Sequence, residues 1–212
     1  LAYLTYHDGT ISYHMGGWAP PWGIEYVVDT ANAFILLLVS SIATMVLIYS
    51  PASVAKEIRP GRGHLYYCMY ILCLTGLLGI AITGDAFNVF VFLEVSSLSS
   101  YALIAMGGQR KALTAAFQYL VMGTIGATFF LIGVGLLYMM TGTLNMADLA
   151  KRIPEIQDSR PVLAAFAFIT VGLALKAALF PLHLWLPNAY AYAPSGVSAF
   201  MAATATKVSL YV

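Results

Sequence analysis

Long apolar runs of about 20 residues recur along this chain and leave few places for charge. Of the 212 residues, 60% are hydrophobic and only 9% are charged, whereas a soluble domain is about 25% charged. A run of this length crosses a bilayer as one helix. The sequence therefore predicts an all-α polytopic membrane protein. No basic cluster is present to neutralise phosphates, so we expect no nucleic-acid partner.

Polar loops separate the apolar runs, and the spacing predicts about six transmembrane helices, one of them broken. The first span is expected to end at Ser50-Pro51, because proline interrupts helices. A short interfacial helix is expected at 146–152. The spans are predicted at 29–49, 65–83, 86–106, 113–140 and 162–190, with a sixth starting at Pro194.

The N-terminal segment differs in composition from the rest of the chain. Residues 5–29 are polar, aromatic and rich in glycine and proline, and two short strand-like pieces flank a turn. We therefore divide the chain into an extramembrane hairpin region, 1–28, and a transmembrane bundle, 29–212. The chain starts without Met and stops inside an apolar run, so we expect a fragment truncated at both ends.

Basic residues are concentrated in two loops, 50–64 and 107–112, that lie on the same side of the predicted bundle. The hairpin on the opposite side carries no lysine or arginine, and the basic residues of loop 141–161 are offset by acidic ones. The positive-inside rule therefore places loops 50–64 and 107–112 in the cytoplasm.

Three ionisable residues lie well inside apolar spans: Glu94, Lys176 and Lys207. A charge at the bilayer centre costs about 2.5–3.5 kcal/mol on insertion scales, so it is rarely kept without a partner or a use. Glu94 and Lys176 lie about 12–14 Å and about 20 Å from the same side. Their side chains can span that difference, so an ion pair is predicted if the helices touch.

Lys176 is followed by a predicted helix break at Pro181. Proline lacks an N–H and clashes with the carbonyl four residues back, at Ala177. Carbonyls freed inside a membrane are tolerated only beside protein or a water-filled cavity, and broken helices line the ion sites of transporters. His183 titrates near neutral pH and could pass a proton to the aqueous side.

These residues also have structural interpretations, which the sequence leaves open. Glu94 and Lys176 could form an ion pair that only fixes helix contacts, Lys207 could snorkel to an interface, and His183 could cap the helix break. Asp85 is expected to cap the third span through a free N–H. Serines 96, 97, 99 and 100 are expected to serve helix packing.

The sequence predicts no cofactor and no metal site. Cys68 and Cys73 are five residues apart, which is neither a CxxC motif nor a same-face helical pair. No nucleotide-binding or zinc-protease motif occurs. With no redox or hydrolytic group of its own, the chain leaves open whether it belongs to an enzyme.

Three motifs resemble one known family. Gly84-Asp-Ala-Phe-Asn-Val-Phe-Val-Phe-Leu-Glu94, the run from Lys176 to Tyr190 and the run from Ala193 to Phe200 resemble the antiporter-like subunits of respiratory complex I. Thr206-Lys-Val-Ser-Leu-Tyr211 looks most like the D subunit of Mrp-type cation/proton antiporters. The resemblance implies a longer protein of two inverted repeats, of which this chain would cover one part.

The resemblance also implies functional roles and partners. Glu94 would modulate Lys176, Lys176 would take up the proton and Lys207 would pass it on. Such subunits work with other membrane subunits, in the inner (plasma) membrane of a prokaryote, and exchange protons for Na⁺ or K⁺. Two alternatives stay open: a proton-pumping subunit of an NADH–quinone oxidoreductase or membrane hydrogenase, and a passive membrane scaffold.

Overall fold

A computed structural model describes residues 1–212, except for the side chain of Asp8. Two short strands, β1 (Ile11–His14) and β2 (Glu25–Val28), lie near the N-terminus. The helices are α1 (Ala2–Asp8), α2 (Thr30–Glu57), α3 (Gly63–Ile82), α4 (Ala86–Ala105), α5 (Arg110–Thr141), α6 (Met146–Ile156), α7 (Arg160–Lys176), α8 (Trp185–Tyr192) and α9 (Ser195–Tyr211).

The helices match the fold predicted from the apolar runs. Helices α2 to α5 are each long and apolar enough to cross a membrane. Helices α7 and α9 have 17 residues each, and α8 follows α7 after a break. The chain is an all-α multi-pass membrane protein with one broken helix and a short hairpin.

The predicted end of the first span at Ser50-Pro51 was wrong. Helix α2 continues through Pro51 to Glu57. A proline inside a helix removes one hydrogen bond, here to the carbonyl four residues back at Leu47, but it does not have to end the helix. Ser50 donates its hydroxyl to the carbonyl of Val46 at 2.9 Å, which adds a bond in the same turn. Helix α6 likewise runs through Pro154.

The predicted hairpin forms an antiparallel pair in which Ile11 lies opposite Val28 and His14 opposite Glu25. The hydroxyl of Ser12 donates to the Glu25 carboxylate at 2.5 Å, and Asn145 donates to it at 2.9 Å. These bonds favour the charged form and hold the pKa of Glu25 below its ordinary value, the Ser12 bond being the largest cause. Glu25 therefore ties the hairpin to the loop before α6.

Most long helices pack against the next long helix in the chain, and the last helix packs against the first long one. Helix α2 packs on α3, α3 on α4, α4 on α5 and α5 on α7, while α9 returns to pack against α2. Glycines allow a close approach between α5 and α7: a Cβ at Gly172 would lie 2.6 Å from the carbonyl oxygen of Gly126. Small residues of this kind let membrane helices pack backbone to backbone. This interface positions the end of α7 inside the bundle.

The start of α9 is capped by a side chain from α2. Pro194 precedes α9 and provides no side-chain cap. Instead the Glu57 carboxylate accepts from the Ser195 N–H at 2.7 Å and from its hydroxyl at 2.6 Å. Ser53 accepts from the Gly196 N–H at 3.3 Å. A carboxylate at a helix N-terminus satisfies free N–H groups and complements the helix dipole, so α2 anchors the first turn of α9.

Candidate functional site

Lys176 is the last residue of α7, and its side chain is buried inside the bundle. Its side chain is only 4% exposed. Nζ donates to the hydroxyl of Ser97 at 2.6 Å and lies 3.5 Å from Oε1 of Glu94. Nζ and the carboxylate lie within ion-pair distance. The pair that was predicted from their depths in the sequence therefore forms.

Helix α4 supplies both partners of this lysine. Glu94 and Ser97 are three residues apart, which places them on one face of a helix. The Glu94 side chain is 25% exposed, so Lys176 is the more deeply buried partner. Ser97 accepts from the ammonium group and keeps its own hydroxyl proton for another acceptor. The ammonium group of Lys176 thus donates one hydrogen bond to the Ser97 hydroxyl and another to the Glu94 carboxylate.

Helix α7 ends at Lys176, five residues before Pro181. Residues 177–184 form turns rather than α-helix, and Ala178 has a positive φ of 55°. Ala177 is the residue whose carbonyl Pro181 would crowd in a continuous helix. The break thus starts where the proline clash falls, and it places Lys176 directly beside the interruption.

Trp185, the first residue of α8, contacts the last turn of α7 across the break. Its side chain is 1% exposed, and its indole N–H donates to the carbonyl of Leu175 at 3.0 Å. Its ring stacks on Tyr119 of α5, with centroids 3.9 Å apart and an interplanar angle of 4°. The Leu175 carbonyl, in the last turn of α7, already accepts from the Ala178 N–H at 3.3 Å, and the indole adds a second donor from beyond the break.

A Trp185→Phe substitution is expected to loosen the break while keeping most of the aromatic packing. It removes the indole donor to Leu175 while the Ala178 N–H stays, so the complete subunit should lose about 0.5–1.5 kcal/mol of stability and its transport rate should fall. Thermal unfolding of the purified subunit and vesicle transport assays measure both effects. Trp22→Phe is the matched control, because Trp22 is 89% exposed. Equal effects of the two substitutions would show that the indole bond does not support the break.

A small cavity of mixed lining lies next to Lys176, between α3, α4, α5 and α9. Its volume is about 10 Å³, which is about the space that one water molecule needs. Ser96 and Ser100 line it, and both donate to carbonyls of their own helix, at 3.0 Å and 2.7 Å. Those bonds agree with the packing role expected for these serines. Ser97 differs, because it accepts from Lys176, and the sequence signal for this was its three-residue spacing from Glu94.

Lys207 makes no contact with the Glu94–Lys176 pair. It is exposed on α9, and its Nζ donates to the backbone carbonyl of Ala202. The α9 residues that line the cavity beside Lys176 are Ala205 and Ser209. Residues two apart in a helix point about 200° from each other, so Lys207 faces away from Lys176. Its role as the next proton carrier stays a prediction.

His183 lies inside the break, half-buried, with its ring stacked on Phe180 at a centroid distance of 5.7 Å. Its Nδ1 is buried and has no hydrogen-bond partner among the described residues. Pro181 is exposed in the same turn. The histidine therefore does not act as a side-chain cap through Nδ1, and its role as a relay stays a prediction.

Asp85 caps α4, as expected from its position after Gly84. Its carboxylate accepts from the Asn88 N–H at 2.8 Å. This bond satisfies a donor of the first turn. The cap fixes the start of the helix that carries Glu94 and Ser97.

Comparison with known proteins identifies the family. Residues 83–212, more than half of the chain, match the family described as NADH:quinone oxidoreductase/Mrp antiporter, transmembrane. The chain belongs to this family. The matched residues include Glu94, Ser97, Lys176 and Lys207, so the whole candidate site lies within the family's transmembrane domain.

The chain is similar both to an oxidoreductase subunit and to an antiporter subunit. The N subunit of the NADH-quinone oxidoreductase of Desulforudis audaxviator is 50% identical over 94% of this chain and 39% of the relative. The D subunit of the Na(+)/H(+) antiporter of Alkalihalophilus pseudofirmus is 34% identical over 100% of this chain and 42% of the relative.

A solved structure shows the same fold. The membrane-bound sulfane sulfur reductase, an archaeal respiratory membrane complex, contains a chain that is 37% identical, with a TM-score of 0.91 over 99% of this chain and 42% of that chain. The present chain thus spans about two fifths of the length of the relatives it matches.

Proposed function

We propose that this chain is part of a proton-translocating membrane subunit of a multisubunit monovalent cation/proton antiporter. One observation carries the proposal: a buried lysine, paired with a carboxylate and a hydroxyl, ends a helix at a break inside the membrane. An intramembrane ionisable residue of this kind is costly and marks an ion or proton path. The similarity to the D subunit of a Na(+)/H(+) antiporter supports it.

In this proposal Lys176 takes up and releases the proton, and Glu94 modulates it. A buried carboxylate raises the proton affinity of a nearby lysine, and weakening the contact lowers it. Because α7 ends with Lys176 at the break, a small shift of the turn at 177–184 would change the distance from Lys176 to Glu94. Movement at the break can therefore couple to proton uptake and release.

Further transfer is proposed to run through Lys207, with His183 as a relay toward the aqueous side. The cavity beside Lys176 reaches α9 at Ser209, so a proton bound for Lys207 would have to pass around that helix. The exchanged cation is Na⁺ or K⁺, the partners are other membrane subunits, and the location is the plasma membrane of a prokaryote. The division into a hairpin region, 1–28, and a bundle, 29–212, is proposed with it.

A second candidate is a proton-pumping subunit of an NADH–quinone oxidoreductase or a related membrane complex. The 50% identity to the N subunit of such an oxidoreductase favours it, as does the similarity to a chain of an archaeal respiratory complex. The site would be the same in both cases, and the source of energy would differ. Iron–sulfur subunits that co-purify with the native complex would favour this candidate.

A measurement of ion-driven proton movement in the complete complex distinguishes the antiporter from the oxidoreductase subunit. Proteoliposomes with an acidic interior and a trapped pH dye receive Na⁺, K⁺ or, as a control, choline. An antiporter should collapse the pH gradient on addition of Na⁺ or K⁺ without an electron donor. A complex that ignores both cations and moves protons only when NADH and quinone are supplied would overturn the antiporter proposal in favour of the second candidate.

A further inference from the structure

A cavity of about 600 Å³ opens at the end of the bundle where α2 and α4 end and α3 and α5 begin. Three arginines line it, Arg59, Arg62 and Arg110. All three residues are exposed. Among the described side chains, none of the three forms an ion pair or a side-chain hydrogen bond. The cavity therefore concentrates positive charge that the described part of the chain does not neutralise. The absence of a basic cluster predicted from the sequence was wrong here, because the fold brings Arg110 beside Arg59 and Arg62 from 48 residues away in the chain.

Two helix starts add to this positive potential. Arg62 is the N-cap residue of α3, and Gln109 is the N-cap residue of α5. Neither makes a side-chain capping bond, and both line the cavity. The N–H groups of a first helical turn carry partial positive charge and favour an anion. Here they reinforce a site that the arginines already define.

The remaining lining is apolar, and the cavity lies at the end of membrane-spanning helices. Ile58, Met106 and Leu113 contribute apolar surface beside the arginines. Leu113 is itself exposed. An occupant must therefore combine an anionic group with an apolar body, as an amphiphile at the headgroup level of a bilayer does. Free phosphate or a soluble carboxylate would leave the apolar part of the lining unused.

We propose that this cavity binds the phosphodiester headgroup of an anionic phospholipid, with Arg59, Arg62 and Arg110 contacting its phosphate oxygens. Guanidinium groups bind phosphate through two parallel hydrogen bonds, which a lysine cannot reproduce. Basic pockets between transmembrane helices are suited to such headgroups. A lipid held here would join the loop between α2 and α3 to the loop between α4 and α5.

The same two loops offer a matched control. Lys56 lies in the last turn of α2, and Lys111 lies in the first turn of α5, beside the ring of Tyr192. Neither lysine lines the cavity. A Lys56→Gln/Lys111→Gln variant removes the same number of charges from the same surface as an Arg59→Gln/Arg110→Gln variant. A comparison of the two separates a specific site from general attraction to a charged surface.

The test is a binding titration of the complete, delipidated complex. Short-chain phosphatidylglycerol, phosphatidylcholine of equal chain length and inorganic phosphate are titrated separately. We expect phosphatidylglycerol to bind most tightly. The arginine variant should lose about tenfold in affinity for it, while the lysine variant loses less than about threefold. Thermal unfolding without lipid checks that both variants are folded.

Other outcomes contradict the proposal. Equal losses in the two variants would mean diffuse surface charge, and equal binding of the two lipids would mean a merely apolar groove. Inorganic phosphate that binds as tightly as phosphatidylglycerol would mean an ion site. No binding to the wild-type complex would mean that another subunit covers the cavity. If the glutamine variant does not assemble, Arg59→Lys/Arg110→Lys replaces it. This variant keeps the charge, and its affinity for phosphatidylglycerol should fall about threefold. An unchanged affinity would overturn the proposal.

Discussion

Lys176→Ala in the complete subunit is expected to reduce cation-driven proton transport to at most about one tenth of the wild-type rate, since a positioned proton-transfer group contributes roughly 10²–10⁴-fold. The substitution removes the buried group that lies between Glu94 and Ser97. Inverted vesicles with an acidic interior, pulsed with Na⁺ or K⁺, measure the rate. Lys151→Ala is the matched control, because Lys151 is exposed on α6 and outside the site.

Lys176→Arg tests the same site more sharply. Arginine keeps the positive charge and can keep the pair with Glu94, but it does not release its proton in proteins. Proton transfer through this position therefore predicts that Lys176→Arg folds well and transports as poorly as Lys176→Ala. If the residue serves only to fix helix contacts, Lys176→Arg should transport normally. Wild-type rates in both variants would remove Lys176 from the proton path.

Removing both charges of the pair is expected to restore stability but not transport. Glu94→Gln alone leaves the buried ammonium of Lys176 without its carboxylate, and we expect a loss of about 2–4 kcal/mol, because one unpaired buried charge is strongly destabilising. Glu94→Gln/Lys176→Met removes both charges and should recover most of that loss, since buried pairs are often replaced by apolar residues at little cost. Thermal unfolding of the purified subunit gives the stabilities.

Transport by these same variants decides between the proton-transfer and scaffold interpretations. The double variant has no group at position 176 that can carry a proton, so its rate should stay as low as that of Lys176→Ala. A passive scaffold predicts the opposite, with transport returning together with stability. Lys176→Met alone completes the cycle and reports how strongly the two side chains are coupled.

The apolar runs and the intramembrane charges were sufficient to predict the bundle and the central pair. The lengths of the apolar runs define the spans. A lysine and a glutamate within reach of each other are expected to pair inside a membrane, because an unpaired charge there is costly. The Asp85 cap also followed from the sequence, because its carboxylate precedes a helix with free N–H groups. The spans and the cap rest on local composition, whereas the pair also required α4 and α7 to approach each other, which the cost of an unpaired charge in a membrane favours.

Features that depend on neighbours in space could not be predicted. Pro51 indicated a helix end, but α2 continues through it to Glu57 and packs against α3 and α9. The contact between Ser97 and Lys176 joins residues that are far apart in the chain. The indole bond from Trp185 to Leu175 crosses a turn of irregular shape. The direction of Lys207 depends on the rotation of α9 about its own axis, which an evenly apolar helix does not reveal.

The cap that Glu57 provides to α9 has a consequence for biogenesis. The carboxylate and its partner Ser195 are separated by 138 positions in the chain. Translation at roughly 5–20 residues per second leaves the cap without its partner for about 7–28 s. During that interval α2 must stay within reach in the membrane while the helices from α3 to α8 are made. The last helix of the described chain packs mainly against the first long one, so the final step in assembling this segment takes place beside the long helix that was made first.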